Sequence, residues 1–83
     1  MTKEQIISVC KEYDEFLEKE GFLCREESDT WNSYSHIRWM LSQIPTFVNE
    51  GKLEKSFRWL GFVQGFLWTN GDFTISEMKN HNR

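Results

Sequence analysis

The chain has 83 residues, a length that supports one hydrophobic core and leaves no room for a second. Hydrophobic residues at 39%, charged residues at 28% and only two cysteines exclude a disordered tail and a disulfide scaffold. A formal net charge of −3 argues against a duplex-binding domain, which needs clustered Lys and Arg to neutralise phosphates. We therefore expect a single helical-bundle domain over residues 1–83.

The cysteines and the hydropathy pattern favour a reduced protein in the cytoplasm. Cys10 and Cys24 lack the spacing of a metal or disulfide motif, and we expect neither a metal nor a cofactor. The N-terminal residues lack the apolar core of a signal peptide. The most apolar stretch, residues 57–68, is shorter than the roughly twenty residues that a membrane span requires.

The first predicted element is a helix over about residues 3–20. Apolar side chains recur there at three- and four-residue steps, with charged residues between them. Thr2 and Gln5 form a capping box at its start, and Gly21 is typical of a helix end.

A second apolar stripe predicts a helix over about residues 30–49, which Ser28, Asp29 or Thr30 would cap. Pro45 lies inside this stripe and removes one backbone hydrogen bond. It is therefore expected either to kink the helix or to split it.

The third predicted helix, about residues 52–69, is apolar nearly all round and is therefore expected to be the central helix, buried on several sides. Gly61 and Gly65 lie four residues apart inside it, although glycine weakens a helix. This spacing indicates close packing against another backbone. We favour a helix of the same chain over a second copy as the neighbour.

A second capping box, Thr74 with Glu77, predicts a short helix over about residues 75–81. No segment alternates convincingly with a period of two, so strands are not expected. The predicted fold is an all-α, antiparallel bundle of three main helices and a short C-terminal helix.

Catalytic groups do not assemble on this pattern. The short connection between the second and third helices would bring His36 near Gln64, with Trp39 close by. A polar boundary cluster is the favoured interpretation, and a general base or ligand at His36 is the alternative. No nucleophile or paired carboxylate joins His36, and nothing indicates a lowered thiol pKa at Cys10, so we do not expect an enzyme.

Two Arg-Trp dipeptides lie twenty residues apart, at Arg38-Trp39 and Arg58-Trp59. Stacking platforms with cationic neighbours would suit single-stranded nucleic acid or a nucleotide. The favoured interpretation is structural, with Trp in the core and the Arg stem covering apolar surface at its edge. Nucleic acid is therefore the alternative partner, with Arg38 and Arg58 as its contacts.

The run from Lys55 to Trp68, KSFRWLGFVQGFLW, is followed by the segment TISEMK and the terminal Asn82 and Arg83. Together with His36, Trp39 and Met40, residues 36–83 resemble small proteins encoded by tailed bacteriophages and prophages, mostly of uncharacterised function. The resemblance implies a phage accessory protein in the cytoplasm of the infected cell, and it implies no catalytic residue.

The leading hypothesis is a non-enzymatic protein that acts by binding a host or phage protein, with a homodimer as one possibility. Large aromatic residues dominate the energetics of protein interfaces, and the aromatic share here is 16%. The residues expected to contact a partner are Trp39, Trp59, Phe62 and Phe66.

Overall fold

The computed structural model describes residues 1–25 and 33–83, and within these ranges the secondary structure is four α-helices without a strand. They are α1 (Lys3–Lys19), α2 (Ser33–Asn49), α3 (Leu53–Thr69) and α4 (Ile75–His81). The predicted all-α helical bundle is confirmed at this level. The capping residues predicted for the second helix, Ser28, Asp29 and Thr30, lie outside the described ranges.

Both predicted capping boxes are present. The Thr2 hydroxyl accepts a hydrogen bond from the Gln5 backbone N–H at 3.1 Å, and the Gln5 side chain accepts one from the Thr2 N–H at 2.7 Å. Thr74 and Glu77 make the same reciprocal pair at the start of α4, with distances of 3.1 and 3.0 Å. Each box satisfies two backbone donors that the first helical turn leaves without partners.

The three long helices end in the same way. Gly21 takes a φ of 89°, a left-handed conformation that glycine adopts without strain, and the following Phe22 N–H donates to the Leu17 carbonyl. The same arrangement, with a glycine at positive φ, follows α2 at Gly51 and α3 at Gly71. Pro45 lies inside α2 without splitting it, since the helix continues to Asn49.

The core is built from one stripe of each helix, and α2 occupies the middle of the bundle because it lies close to both α1 and α3. The expectation that the third helix is central is therefore wrong. The buried apolar side chains are Ile6, Val9, Cys10, Tyr13 and Leu17 of α1; Ile37, Met40, Leu41, Ile44 and Val48 of α2; Leu60, Val63 and Leu67 of α3; and Met78 of α4.

The expectation that the third helix is buried on several sides is also wrong. Its buried residues are confined to one stripe, Ser56, Leu60, Val63 and Leu67. The physical reason is the number of neighbours: α2 covers one side, and α4, with seven residues, is too short to cover another along its length. In the described part of the chain, no helix is long and apolar enough to cross a membrane.

Candidate interaction surface

Among the residues that the structure describes, the most exposed large aromatic side chains lie on the side of α3 that points away from the core. Phe57 is 43% exposed, Phe62 is 61% exposed and Trp68 is 50% exposed. Gly61 and Gly65 lie among them and are also exposed. We call these five residues the outer face of α3. Sequence reasoning identified only Phe62 as an aromatic contact on this face and missed Phe57 and Trp68.

The two glycines form an open trough on this outer face. Among residues 1–25 and 33–83, a Cβ atom added at Gly61 or at Gly65 would meet no atom of another part of the chain within 4 Å. The expected close packing of these glycines against another helix of the same chain is therefore not found. At 3.6 residues per turn, Phe57 and Trp68 flank one side of the trough and Phe62 flanks the other.

Charge is sparse around this surface. Glu54 and Arg58 precede the trough on the solvent side of α3 and face each other at 3.8 Å, four residues apart. Both side chains are largely exposed, at 90% and 68%, so the pair contributes little to stability but leaves this part of the helix electrically balanced.

Trp39 and Trp59 lie in a second aromatic cluster, between α2 and α3. Their ring centroids are 5.9 Å apart, and Phe47 meets Trp59 edge-on at 4.7 Å. Lys55 places its Nζ 4.3 Å from the Phe47 ring centroid, within the range of a cation–π interaction. Both tryptophans are half-buried and pack against the core, so a large part of their predicted contact area is already used within the chain.

Phe66, the fourth predicted contact residue, is also half-buried. It meets Tyr34 edge-on, with ring centroids 5.0 Å apart, and Phe22 stacks on Tyr34 at 4.4 Å. The Tyr34 hydroxyl donates a hydrogen bond to Asp72 at 2.9 Å, and burial is the main cause that raises the pKa of Tyr34. This cluster joins the loop after α1 to the end of α3.

Arg38 holds α1 and α2 together. Its Nε donates to Asp14 at 2.7 Å, one terminal nitrogen donates to the Phe22 carbonyl at 2.8 Å, and the other donates to Glu18 at 3.2 Å. The side chain is 17% exposed. The geometry supports the structural interpretation of Arg38 over its alternative role as a nucleic-acid contact, because its guanidinium already serves two carboxylates.

The polar boundary cluster predicted from His36 and Gln64 is not formed. The Gln64 amide donates to the Tyr13 hydroxyl at 3.1 Å and exchanges hydrogen bonds with the Asn82 side chain, so its polar atoms are directed to α1 and the C-terminus. His36 instead stacks on Trp39, with ring centroids 5.4 Å apart. Trp39 does lie beside His36, as expected.

Sequence reasoning also missed a buried polar network at the end of α4. The Tyr13 hydroxyl lies 2.7 Å from His81 Nδ1 and 3.4 Å from the Met78 sulfur. His81 also meets the rings of Tyr13 and Phe73 edge-on. The capping box of α4 was the signal that could have indicated it, because this box predicts an ordered last helix, and an ordered last helix holds His81 in a fixed position. This network attaches α4 to α1.

The buried Cys10 thiol and Tyr13 hydroxyl are not activated for proton transfer or nucleophilic attack. Burial raises the pKa of the Cys10 thiol to about 12 and that of Tyr13 to about 12, so both stay protonated at neutral pH. A shallow cleft of about 240 Å³ beside His81 is lined by Gln5, Ser8 and Glu12 among others, and is smaller than most ligand pockets. Among the described residues, no three His, Cys, Asp or Glu side chains are grouped to hold a metal ion.

Comparison with known protein families, curated proteins and solved structures finds no significant match to this chain.

Proposed function

We propose that this protein is a non-enzymatic bacteriophage accessory protein that acts by binding another protein in the cytoplasm of the infected bacterial cell. In this proposal the helices pack antiparallel in a single domain, and the outer face of α3 is the docking surface. The phage assignment rests on the resemblance of residues 36–83 to small phage and prophage proteins.

One observation carries the proposed activity. The described chain completes a core from one stripe of each helix, yet three large aromatic side chains stay exposed on the side of α3 away from that core: Phe57, Phe62 and Trp68. Exposing aromatic surface to water is unfavourable, and such surface clustered on one face of a small protein is typical of an interaction site. Aromatic residues are also the side chains that most often dominate binding energy.

Site-specific photocrosslinking in bacteria that express the protein tests this function. A benzophenone-bearing amino acid replaces Phe62 in one variant and Lys11, an exposed residue of α1, in the matched control. We expect a discrete adduct with a host or phage protein from position 62 and none from position 11. The proposed function would be contradicted if position 62 gave no adduct with a different protein, or if both positions gave the same adducts.

A further inference from the structure

This inference rests on the proposed function of the outer face of α3. We propose that, in the absence of another partner, this face binds a second copy of the chain. The two α3 helices then pack antiparallel, so that Gly61 of each copy lies against Gly65 of the other. Glycines in this position let two helix backbones approach closely. The trough is open to such an approach as far as the described residues go, since none of their atoms outside the α3 backbone and the neighbouring residues lies within 4 Å of a Cβ added at either glycine.

The order of residues along α3 matches itself in this arrangement. A two-fold axis perpendicular to α3 at the level of Val63 places Gly61 level with Gly65 of the second copy. It also places Phe57 almost level with Trp68 of the second copy, because their heights along the helix axis differ by one residue, or about 1.5 Å. Two-fold contacts use the same patch on both copies, so the pairing of Phe57 with Trp68 forms twice.

In this arrangement the residues that flank the trough also face their counterparts in the second copy. An antiparallel two-fold turns each flank of α3 toward the same flank of the second copy. The Phe57 and Trp68 flanks therefore meet on one side, and the two Phe62 side chains meet near the axis on the other. Offset and edge-on aromatic pairs of this kind are favourable beyond the area that they bury.

Charge favours a second copy over a strongly charged partner. The five residues of the outer face are uncharged, and Glu54 and Arg58, which lie in line with the trough one to two turns before it, form an ion pair with each other at 3.8 Å. In the antiparallel arrangement the Arg58 Cα atoms of the two copies are about 15 Å apart along the helix axis, so like charges are not brought together. The acidic excess of the chain lies elsewhere, in residues 1–30.

The exposed aromatic area shows which class of interface the two copies can form. The exposed fractions of Phe57, Phe62 and Trp68 amount to roughly 300 Å² of aromatic surface in each copy. Two copies bring roughly 600 Å² of aromatic surface together, and a specific interface buries at least about 1,200 Å² in all. The aromatic part of the contact is about half of that minimum, so we expect a weak, transient dimer.

Analytical ultracentrifugation of the purified full chain from micromolar to millimolar concentration tests the dimer. We expect the mass to rise from 10.0 kDa toward twice that value, with little dependence on salt. Gly61→Leu fills the trough without a clash in the single copy and should weaken association at least tenfold. The control Thr46→Leu places the same side chain on the exposed side of α2 and should change association less than twofold. A protein that stays monomeric at millimolar concentration, or equal effects of the two variants, would overturn the inference.

Disulfide trapping tests the register in a Cys24→Ser background, which removes the exposed thiol and leaves the buried Cys10. Phe62→Cys places its thiols near the two-fold axis, and we expect a rapid covalent dimer under mild oxidation. Thr69→Cys is the control, because its Cα atoms would be about 18 Å apart along the axis, beyond disulfide reach. Equal trapping of both variants would overturn the antiparallel arrangement.

The two proposals fail separately. A monomeric purified protein would overturn self-association, whereas photocrosslinking at position 62 to a different protein would still support the proposed function. Adducts at position 62 with the chain itself alone would support the dimer and contradict the proposed action on a host or phage protein.

Discussion

Replacing both trough glycines by alanine should stabilise the single chain, although each glycine was expected to be required for close packing. Gly61 and Gly65 lie inside α3, and in the described part of the chain an added Cβ meets no neighbouring element within 4 Å. Alanine is more favourable than glycine inside a helix by about 1 kcal/mol, because glycine loses more backbone entropy on folding. The two changes together should therefore raise the free energy of unfolding by about 2 kcal/mol, or the midpoint temperature by roughly 8–16 °C.

The assay is guanidinium unfolding followed by far-ultraviolet circular dichroism, at low micromolar concentration so that the single chain is measured. Gly21→Ala is the matched control, since Gly21 has equal space around it but a φ of 89°. The same chemical change there should lower the free energy of unfolding by about 1 kcal/mol. A Gly61→Ala, Gly65→Ala variant that is no more stable than the parent would refute the reasoning, because it would mean that the trough is occupied within the chain.

Three further predictions concern the core and its polar links. Burial raises the pKa of Cys10 to about 12 from 9.0 and that of Tyr13 to about 12 from 10.0, so the unfolded chain loses these protons first. The free energy of unfolding should therefore fall as the pH rises from about 9 toward 12, and Cys10→Ala should make this fall less steep. A parent protein whose free energy of unfolding does not change over this pH range would contradict the prediction. Arg38→Met should lower the free energy of unfolding by about 1–2 kcal/mol in denaturant titrations, because it breaks the link to two carboxylates of α1. The control Arg58→Met, at an exposed position, should change the free energy of unfolding by less than about 0.5 kcal/mol. Tyr13→Phe removes the hydroxyl that contacts His81 and should lower the free energy of unfolding by about 1–2 kcal/mol. Amide hydrogen exchange should speed up more in α4 than in α2, and an equal increase in both helices would argue against a local role of this hydroxyl.

Local chemistry explains why the helices and their ends could be predicted. A capping box needs only Thr74 and Glu77 on neighbouring turns, and a helix stop needs only a glycine that tolerates positive φ, as at Gly21. These interactions are satisfied within six residues of the chain. The predicted and observed bounds accordingly agree within one residue for α1, α3 and α4.

The candidate site depends on distant residues and was predicted only in part. Phe62 was identified as a contact residue, but the exposure of Phe57 and Trp68 follows from which helix stands beside α3. Gln64 was paired with His36 from the register of two helices. In the folded chain it hydrogen-bonds with Tyr13 and Asn82, because α1 and the C-terminus approach the other side of α3.

The sequence alone determined that this protein is helical, where α1, α3 and α4 begin and end, and that many of its aromatic residues lie on the third helix. These properties depend on composition and on neighbours along the chain. Only the tertiary structure decided which of those aromatic residues are covered. A helix that is apolar nearly all round can bury no more sides than its neighbours can reach, and here they leave Gly61 and Gly65 in the open.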